Sequence, residues 1–219
     1  MFALAGREWD LLAGVFAPVH SPTTAVALEL LGLPPAPAPD PDSGPVFPVD
    51  GTFLEIGAGT GVIAVSAALA GCTTVVATDI SAQAVRNTAM NAERHGVADR
   101  LVPRHGDLFD AVGDGERFDT VYWHSNYVLA PDGYEYGADH ERAYVDPGYR
   151  AHRRYLAEAP GLLTEGGTAL LQFSERGDLG LLRRLAEECG RTLRPVRRCH
   201  LREGEETIEL VLYEVCIKN

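Results

Sequence analysis

The sequence predicts an α/β protein in which a mainly parallel, Rossmann-like sheet of seven strands carries helices on both faces, preceded by a helical N-terminal extension. Two observations support this fold class. From residue 52 onward, short runs rich in β-branched residues alternate with stretches of helical periodicity, a pattern typical of repeated β-α units. A glycine-rich turn also separates the first such strand from its helix. Right-handed connections then leave few arrangements of the strands.

The N-terminal part of the chain is predicted to be a helical cap followed by a linker. Apolar residues within 4–15 have helical spacing, and a second helix is expected from about Pro22 to Leu31, with Ser21 as its cap. The next stretch is rich in proline and lacks periodicity, which favours a stiff surface connector. The chain therefore divides into a cap, a linker and a larger domain that carries the functional site, covering residues 1–32, 33–50 and 51–219.

The larger domain is predicted to contain alternating strands and helices and a terminal hairpin. The helices are expected near residues 61–70, 82–96, 149–159 and 179–189. The strands are expected at 52–56, 74–80, within 100–109, at 118–123 and 166–174, and in the hairpin at 193–201 and 207–215. The hairpin would add an antiparallel strand to the edge of the sheet.

Composition narrows the class of partner. The 219-residue chain has a net charge of −12 and a pI near 5.0, which disfavours nucleic acid or an anionic membrane and favours small-molecule or protein partners. No apolar run is long enough to cross a bilayer, and charged residues lie close to the N-terminus, so we expect a cytoplasmic protein. The four cysteines lack CxxC spacing, so no metal site is predicted. Trp9 on the cap is a candidate contact for a homodimer.

The glycine-rich turn and an acid after the second strand predict a nucleoside site. The turn places Gly57, Gly59 and Gly61 between a strand and a helix, where glycine permits a tight bend and unpaired N–H groups can meet a ligand. Asp79 ends the second strand, and a carboxylate there can accept hydrogen bonds from ribose hydroxyls. The alternative is that Asp79 only caps the next helix. Asp107 adds a carboxylate at the same edge of the sheet.

The stretches EIGAGTG, ATDIS, GDLF and FDTVYW occur in the order and spacing of class I S-adenosylmethionine-dependent methyltransferases, and the chain resembles this family from about residue 46 to 219. The resemblance implies S-adenosylmethionine as the cofactor, with the glycine turn at its methionine part, Asp79 at the ribose and Asp107 at the adenine amino group. A dehydrogenase, whose glycines follow GxGxxG, fits the spacing less well. The cofactor-binding residues that the resemblance implies are Glu55, Gly57, Gly59, Gly61, Asp79, Ile80, Asp107, Leu108 and Thr23.

Within this family, the chain most resembles the branch that methylates protein glutamine and related amines, whose fourth strand ends in Asn-Pro-Pro-Tyr. Here the four positions are His124, Ser125, Asn126 and Tyr127, so only the aromatic residue is retained and a glutamine acceptor is disfavoured. His124, Asn126 and Tyr127 are the candidate catalytic residues. His124 could act as a general base with a pKa near 6.5, orient the acceptor, or be a strand-end histidine bonded to backbone.

A tyrosine-rich and acidic stretch follows this tetrapeptide. Aromatic faces and carboxylates together suit a cationic ligand, so the stretch is a candidate lid over the reactive end of the sheet. The alternative is a solvated insertion whose tyrosines cover the sheet edge. Seven of the eight tyrosines lie between Tyr122 and Tyr155, in a window that also holds Asp132, Glu135, Asp139, Glu141 and Asp146.

The leading functional expectation is a methyltransferase that acts on a small amine- or hydroxyl-bearing metabolite by direct displacement within a closed site. A second hypothesis is cyclisation of S-adenosylmethionine by attack of its own α-amino group, as in azetidine-2-carboxylate synthases, which release methylthioadenosine. A protein methyltransferase and a non-catalytic cofactor-binding module are further alternatives. The full set of cofactor positions argues against the non-catalytic module.

Overall fold

The computed structural model describes residues 1–34 and 44–218. Its α-helices are α1 (Thr23–Leu31), α2 (Val62–Ala70), α3 (Ala82–Arg94), α4 (Arg150–Glu158) and α5 (Leu179–Glu188). Its strands are β1 (Phe2–Leu4), β2 (Arg7–Trp9), β3 (Thr52–Ile56), β4 (Thr74–Asp79), β5 (Leu101–His105), β6 (Phe118–His124), β7 (Val128–Ala130), β8 (Val145–Pro147), β9 (Leu163–Ser174), β10 (Arg191–Glu203) and β11 (Glu206–Ile217).

Seven of these strands form one sheet in the order β5-β4-β3-β6-β9-β11-β10. The five strands from β5 to β9 are parallel to one another, whereas the terminal hairpin joins the edge in antiparallel orientation. The predicted seven-stranded, mainly parallel sheet is therefore confirmed. The strand order reverses beside β3, and ligands of such sheets bind at this switch point, outside the carboxyl ends of the strands.

Neighbouring residues of the central strands supply two hydrophobic cores, one on each face of the sheet. Phe53 and Tyr122 belong to the core that also contains α1 and α2, whereas Leu54 and Trp123 belong to the core formed with α4 and α5. This division follows from the two-residue period of a strand. Because both faces are covered, the central strands read as nearly continuous apolar runs, as parallel strands usually do.

The predicted first helix is wrong, because the N-terminus forms a β-hairpin. β1 and β2 pair in antiparallel orientation around Ala5 and Gly6, whose φ angles are 58° and 69°. Two positive φ values are what a tight two-residue hairpin turn requires. Trp9 is fully buried, donates from its indole N–H to the Leu4 carbonyl at 3.0 Å and packs on His95 with ring centroids 4.3 Å apart. Trp9 is therefore not available as the predicted dimer contact.

Two buried asparagines of α3 hold the segment that follows the hairpin. The Asn91 side chain accepts a hydrogen bond from the Asp10 N–H, and that of Asn87 accepts one from the Leu12 N–H, both at 2.7 Å. Both amide groups donate to the Asp10 carbonyl, and Asn91 also donates to the Thr60 carbonyl at 2.8 Å. Helix α3 thereby fixes the N-terminal segment beside the glycine turn.

The second predicted helix is confirmed as α1, which begins at Thr23. Its N-cap position is occupied by Pro22 and not by Ser21, whose hydroxyl lies 3.0 Å from that of Thr23. The helix ends at Gly32 in a left-handed conformation with a φ of 71°, a common C-terminal cap. Most of the predicted linker, residues 35–43, lies outside the described residues. The division into three segments stays a prediction.

Replacing Asn91 with alanine should lower the free energy of unfolding by about 2–4 kcal/mol, because the Asp10 and Thr60 backbone groups lose their buried partner. Urea unfolding followed by the fluorescence of Trp9, which lies beside this contact, measures the effect. Arg86→Ala, at an exposed position of the same helix, is the matched control and should change stability by less than about 0.5 kcal/mol. Equal stability of the two variants would contradict the structural role of Asn91.

Candidate functional site

A cavity of about 260 Å³ opens at the carboxyl ends of β3, β4 and β6. Its walls also include residues 14–16 of the N-terminal segment and part of residues 126–147, which we call the insertion. Three strand ends and two distant segments of chain thus meet at one place. The topology predicts a ligand there, because the cavity lies at the switch point of the sheet.

The glycine turn after β3 adopts backbone conformations that favour glycine. Gly57, Gly59 and Gly61 have φ angles of 66°, 58° and 78°. Gly57 and Gly59 line the cavity, as predicted. Gly61 lies outside the lining, and a Cβ there would come within 2.8 Å of the Thr88 side chain. The role of Gly61 is therefore the close packing of the turn against α3.

The Asp79 carboxylate joins the glycine turn to the start of α3. It accepts hydrogen bonds from the Gly59 N–H and the Ser81 N–H, both at 2.8 Å. Ser81 is itself the N-cap of α3 and accepts from the Ala84 N–H at 3.3 Å, so helix capping is only part of the role of Asp79. Burial raises the pKa of Asp79 above its ordinary value, although both N–H donors act in the opposite direction. The carboxylate retains lone pairs for ligand hydroxyls.

Glu55 lines the cavity, but its carboxylate has a partner within the protein. It accepts a hydrogen bond from the Ala64 N–H in the first turn of α2 at 2.8 Å, which satisfies one of the unpaired donors of that helix end. Burial raises the pKa of Glu55 well above its usual range. Glu55 therefore connects β3 to the start of α2, the two elements that flank the glycine turn. Its predicted contact with the cofactor stays a prediction.

The residues predicted to lie at the adenine side, Ile80, Asp107 and Leu108, all line the cavity. Leu108 has a φ of 49°, which is strained for a residue with a branched side chain. Its carbonyl accepts a hydrogen bond from the Thr78 hydroxyl at 2.9 Å. The Asp107 carboxylate lies 3.3 Å from the Arg154 guanidinium. Asp107 would therefore make its predicted contact with adenine while it is also paired with the Arg154 side chain.

Thr23 is connected to the end of β6 by a buried hydrogen-bond network. The Gln172 side chain accepts from the Tyr122 hydroxyl at 2.8 Å and donates to the Thr23 carbonyl at 3.5 Å. The Gln172 carbonyl accepts from the Ser125 hydroxyl at 2.7 Å. Thr23 lines the cavity, as predicted. The network fixes its position relative to the end of β6, where the candidate catalytic residues lie.

His124 ends β6 at the cavity wall. Among the residues that the structure describes, none forms a hydrogen bond with its ring, which disfavours the alternative of a backbone-bonded histidine. Burial lowers the pKa of His124 to about 4, below the value near 6.5 expected for a general base. At neutral pH the ring is uncharged and has one donor and one acceptor nitrogen. Such a ring is better suited to orient an acceptor than to deprotonate an ammonium group.

Asn126 holds the insertion and also presents a free acceptor. Its amide nitrogen donates to the Arg142 and Val145 carbonyls, both at 3.0 Å. Because these partners are both acceptors, the orientation of the amide group is fixed. Its Oδ1 atom is buried and has no partner among the described residues. Asn126 lines the cavity, and a buried acceptor without a partner there is suited to a donor on a ligand.

Three tyrosines of the insertion, Tyr127, Tyr136 and Tyr144, line the cavity. Phe16 of the N-terminal segment packs edge-on against Tyr144, with ring centroids 5.4 Å apart. The two segments therefore meet at the cavity wall, and the candidate lid is smaller than the tyrosine-rich window suggested. Some tyrosines of that window are instead fully buried core residues, namely Tyr122, Tyr149 and Tyr155.

Hydrogen bonds to a buried carboxylate fix the end of the insertion to α4. The Asp146 carboxylate accepts from the Ala151 N–H at 3.1 Å, and from the backbone N–H and ring Nδ1 of His152 at 3.0 and 2.7 Å. The His152 ring packs on Trp123 with centroids 4.7 Å apart. Burial lowers the pKa of His152, which Asp146 opposes. Asp146 therefore has a structural role here, unlike the cation contact that the acidic window suggested.

Sequence reasoning missed several residues of the cavity. The apolar spacing of the N-terminal segment predicts a helix and gives no sign that the segment reaches the cavity wall, and the tyrosines and acids of the insertion give no signal for His140 or Arg142. Within the described residues, no group of three potential metal ligands is present and no helix is long and apolar enough to cross a membrane. The missed cavity residues are Gly14, Val15, Phe16, Trp123, His140 and Arg142.

Comparison with known proteins agrees with this geometry. Residues 19–122 match the family model described as Ribosomal protein L11 methyltransferase (PrmA). The ribosomal protein L11 methylase of Lactobacillus delbrueckii subsp. bulgaricus aligns with a TM-score of 0.52 and 19% identity, over 75% of this chain and 69% of that chain. This chain has the class I methyltransferase fold. A second structure of this fold, SMU.776 complexed with SAH, aligns with a TM-score of 0.55 and 12% identity, over 75% of this chain and 45% of that chain.

The ribosomal protein uL3 glutamine methyltransferase of Bordetella pertussis is 32% identical over 132 residues, which cover 57% of this chain and 44% of that protein. The chain thus spans less than half the length of this relative. The predicted resemblance to S-adenosylmethionine-dependent methyltransferases near the glutamine branch is confirmed. The family match, the relative and the fold indicate S-adenosylmethionine as the cofactor.

The groups present in the cavity fit this cofactor. The turn at Gly57 and Gly59 gives close access to the backbone, which suits a ligand that packs on main-chain atoms. The Asp79 carboxylate can accept from ribose hydroxyls, and the unpartnered Asn126 Oδ1 can accept from an amine. When bound, the cofactor supplies a methyl group on a positively charged sulfur.

Replacing Asp79 with alanine should weaken the binding of S-adenosylhomocysteine roughly tenfold or more, because it removes the proposed ribose acceptor and frees the glycine turn. Isothermal titration calorimetry measures the dissociation constant directly. Asp114→Ala removes an exposed acid outside the cavity lining and should leave binding unchanged. Wild-type affinity in the Asp79→Ala variant would contradict the placement of the ribose.

The His124 ring should titrate with a pKa of about 4, and NMR of the imidazole protons measures it, with assignment by a His124→Gln variant. Because the pKa of the folded state is lowered, the unfolded chain takes up a proton first as the pH falls below about 6.5. Stability should therefore fall between pH 6.5 and 4, by at most about 3 kcal/mol more in the wild type than in His124→Gln. A titration near pH 6.5 would contradict the lowered pKa of the ring.

Proposed function

We propose that the chain transfers a methyl group from S-adenosylmethionine to a nitrogen or oxygen atom of a small amine- or hydroxyl-bearing metabolite. The acceptor's lone pair would attack the methyl carbon while the carbon–sulfur bond breaks, S-adenosylhomocysteine would leave, and the excess proton of the methylated nitrogen or oxygen would pass to solvent. In the cavity, the wall that fits the adenosyl group continues into a wall that carries His124, Asn126 and Tyr127. This continuity supports a site that holds cofactor and acceptor together.

The observation that carries the proposal is the presence of two unused hydrogen-bonding groups at the end of β6. The uncharged His124 ring and the Asn126 Oδ1 atom have no partners among the described residues. Both can accept the N–H or O–H hydrogens of an uncharged acceptor and so direct its lone pair. Alignment of the reacting atoms is an effective source of rate enhancement in such a displacement.

Contact between the N-terminal segment and the insertion favours a small acceptor. Phe16 and Tyr144 pack on each other at the wall. The Asn126 amide, which lies just after β6, donates to the Arg142 and Val145 carbonyls and holds the later part of the insertion close to the end of that strand. Contacts of this kind at the cavity wall would narrow the opening through which an acceptor enters. A metabolite passes such an opening more readily than a folded protein surface does.

A protein side chain is the second candidate acceptor, and the similarity to a ribosomal protein uL3 glutamine methyltransferase favours it. The residues at the end of β6 favour a protein acceptor less. In place of the two prolines of the resembled motif, the chain has Ser125, which is buried and bonded to Gln172, and Asn126, which is bonded to the insertion. The groups available to hold a glutamine amide are therefore different.

Mass spectrometry of reaction mixtures tests the proposal. Purified protein is incubated with S-adenosylmethionine alone, with a metabolite extract, and with ribosomal proteins, and the nucleoside products are measured. We expect S-adenosylhomocysteine and a methylated small molecule only when the metabolite extract is present. Methylation only in the ribosomal protein sample would establish the second candidate. Methylthioadenosine together with a four-carbon cyclic amino acid, formed from S-adenosylmethionine alone and absent without the protein, would contradict methyl transfer and establish cyclisation.

A further inference from the structure

Arg142 is the one arginine or lysine among the described residues that line the cavity. The acids of the lining are Glu55, Asp79 and Asp107, and two of these already have backbone N–H partners. The cation lies in the insertion, which is otherwise rich in carboxylates. A single positive charge in the wall of a site is a selective feature, because it favours a ligand group of opposite charge at that position.

The position of Arg142 is fixed by contacts on two sides. Its guanidinium carbon lies 4.2 Å from the centroid of the Tyr136 ring, a cation–π contact. The Tyr136 hydroxyl donates to the Val145 carbonyl at 3.3 Å. The Arg142 carbonyl accepts from the Asn126 side chain at 3.0 Å. The same asparagine that has a buried, unpartnered Oδ1 atom thus also holds the backbone of the cation.

The guanidinium of Arg142 makes no hydrogen bond or ion pair with the described residues. This contrasts with Arg104 and Arg154, which bind Glu116, Asp107 and Asp110. The acid next to it in sequence, Glu141, is used by the Tyr134 hydroxyl and the Gly137 N–H. Arg142 is exposed, so its N–H donors are open to solvent and to a ligand that enters the cavity. A planar guanidinium matches a carboxylate, which it can bind through two parallel hydrogen bonds.

We infer that Arg142, held over Tyr136, is a carboxylate-binding position of this cavity. The inference rests on the proposed function, because it names a chemical group of the ligands that the site would take. Two ligands could supply the carboxylate: the methionine part of the cofactor, or an acceptor that carries an acid group near its reactive amine or hydroxyl. Both place a carboxylate within the same cavity, and a variant of Arg142 distinguishes them.

Calorimetry with S-adenosylmethionine and decarboxylated S-adenosylmethionine tests the cofactor as the source. The two ligands differ only in the carboxylate. If Arg142 binds the cofactor, the wild type should prefer S-adenosylmethionine by roughly tenfold, and Arg142→Gln should lose this preference. Arg142→Lys should retain part of it, since lysine keeps the charge but not the fork. Arg184→Gln, which removes an exposed arginine outside the lining, should behave as the wild type.

Methyl transfer to paired acceptors tests the other source. Mixtures of α-amino acids and of the amines that result from their decarboxylation are offered with S-adenosylmethionine, and formation of S-adenosylhomocysteine is measured. If Arg142 binds the acceptor, the wild type should favour the amino acids, and Arg142→Gln should lower kcat/KM for them roughly tenfold without changing cofactor affinity.

Unchanged ligand preference of Arg142→Gln in both experiments would overturn the carboxylate assignment. In that case the binding of S-adenosylhomocysteine by the wild type and by Arg142→Gln would be equal, and the proposed function would stand. Failure of the wild type itself to bind S-adenosylhomocysteine would overturn the proposed function and this inference with it.

Discussion

The site depends on the two hydrogen bonds that the Asp79 carboxylate accepts from Gly59 and Ser81. They connect the turn after β3 to the start of α3, beside the point where the strand order reverses. A glycine with positive φ is needed on one side and a helix N-terminus on the other. The carboxylate is largely buried in this position, and burial raises its pKa. A ligand that bonds to Asp79 therefore meets a group whose position is already fixed.

The acceptor side of the cavity depends on a second buried carboxylate, Asp146, which binds α4 through the backbone of Ala151 and through His152. This interaction holds β8, whose Val145 carbonyl accepts from both Asn126 and Tyr136. The cofactor side is thus built on the parallel sheet, whereas the proposed acceptor side combines the end of β6, which carries His124, with the insertion. Such a division allows the acceptor to change among proteins of one fold while the cofactor site is retained.

The sheet and the cofactor side could be predicted because each strand and helix carries its own local pattern, and strand ends meet by topology. The first helix was wrong because Ala5, Gly6 and contacts with Asn87 and Asn91, far along the chain, override the spacing of apolar residues. The lowered pKa of His124 comes from burial by several segments, which no local pattern reports. The local sequence pattern also gives no signal for Arg142, because its proposed role depends on the absence of protein partners for its guanidinium.

A crystal structure of the complex with S-adenosylhomocysteine tests this account most directly. The account predicts both ribose hydroxyls within hydrogen-bonding distance of the Asp79 carboxylate, and the sulfur atom between the glycine turn and the wall formed by His124 and Asn126. A ribose bound elsewhere, with Asp79 bonded only to Gly59 and Ser81 as it is here, would contradict it.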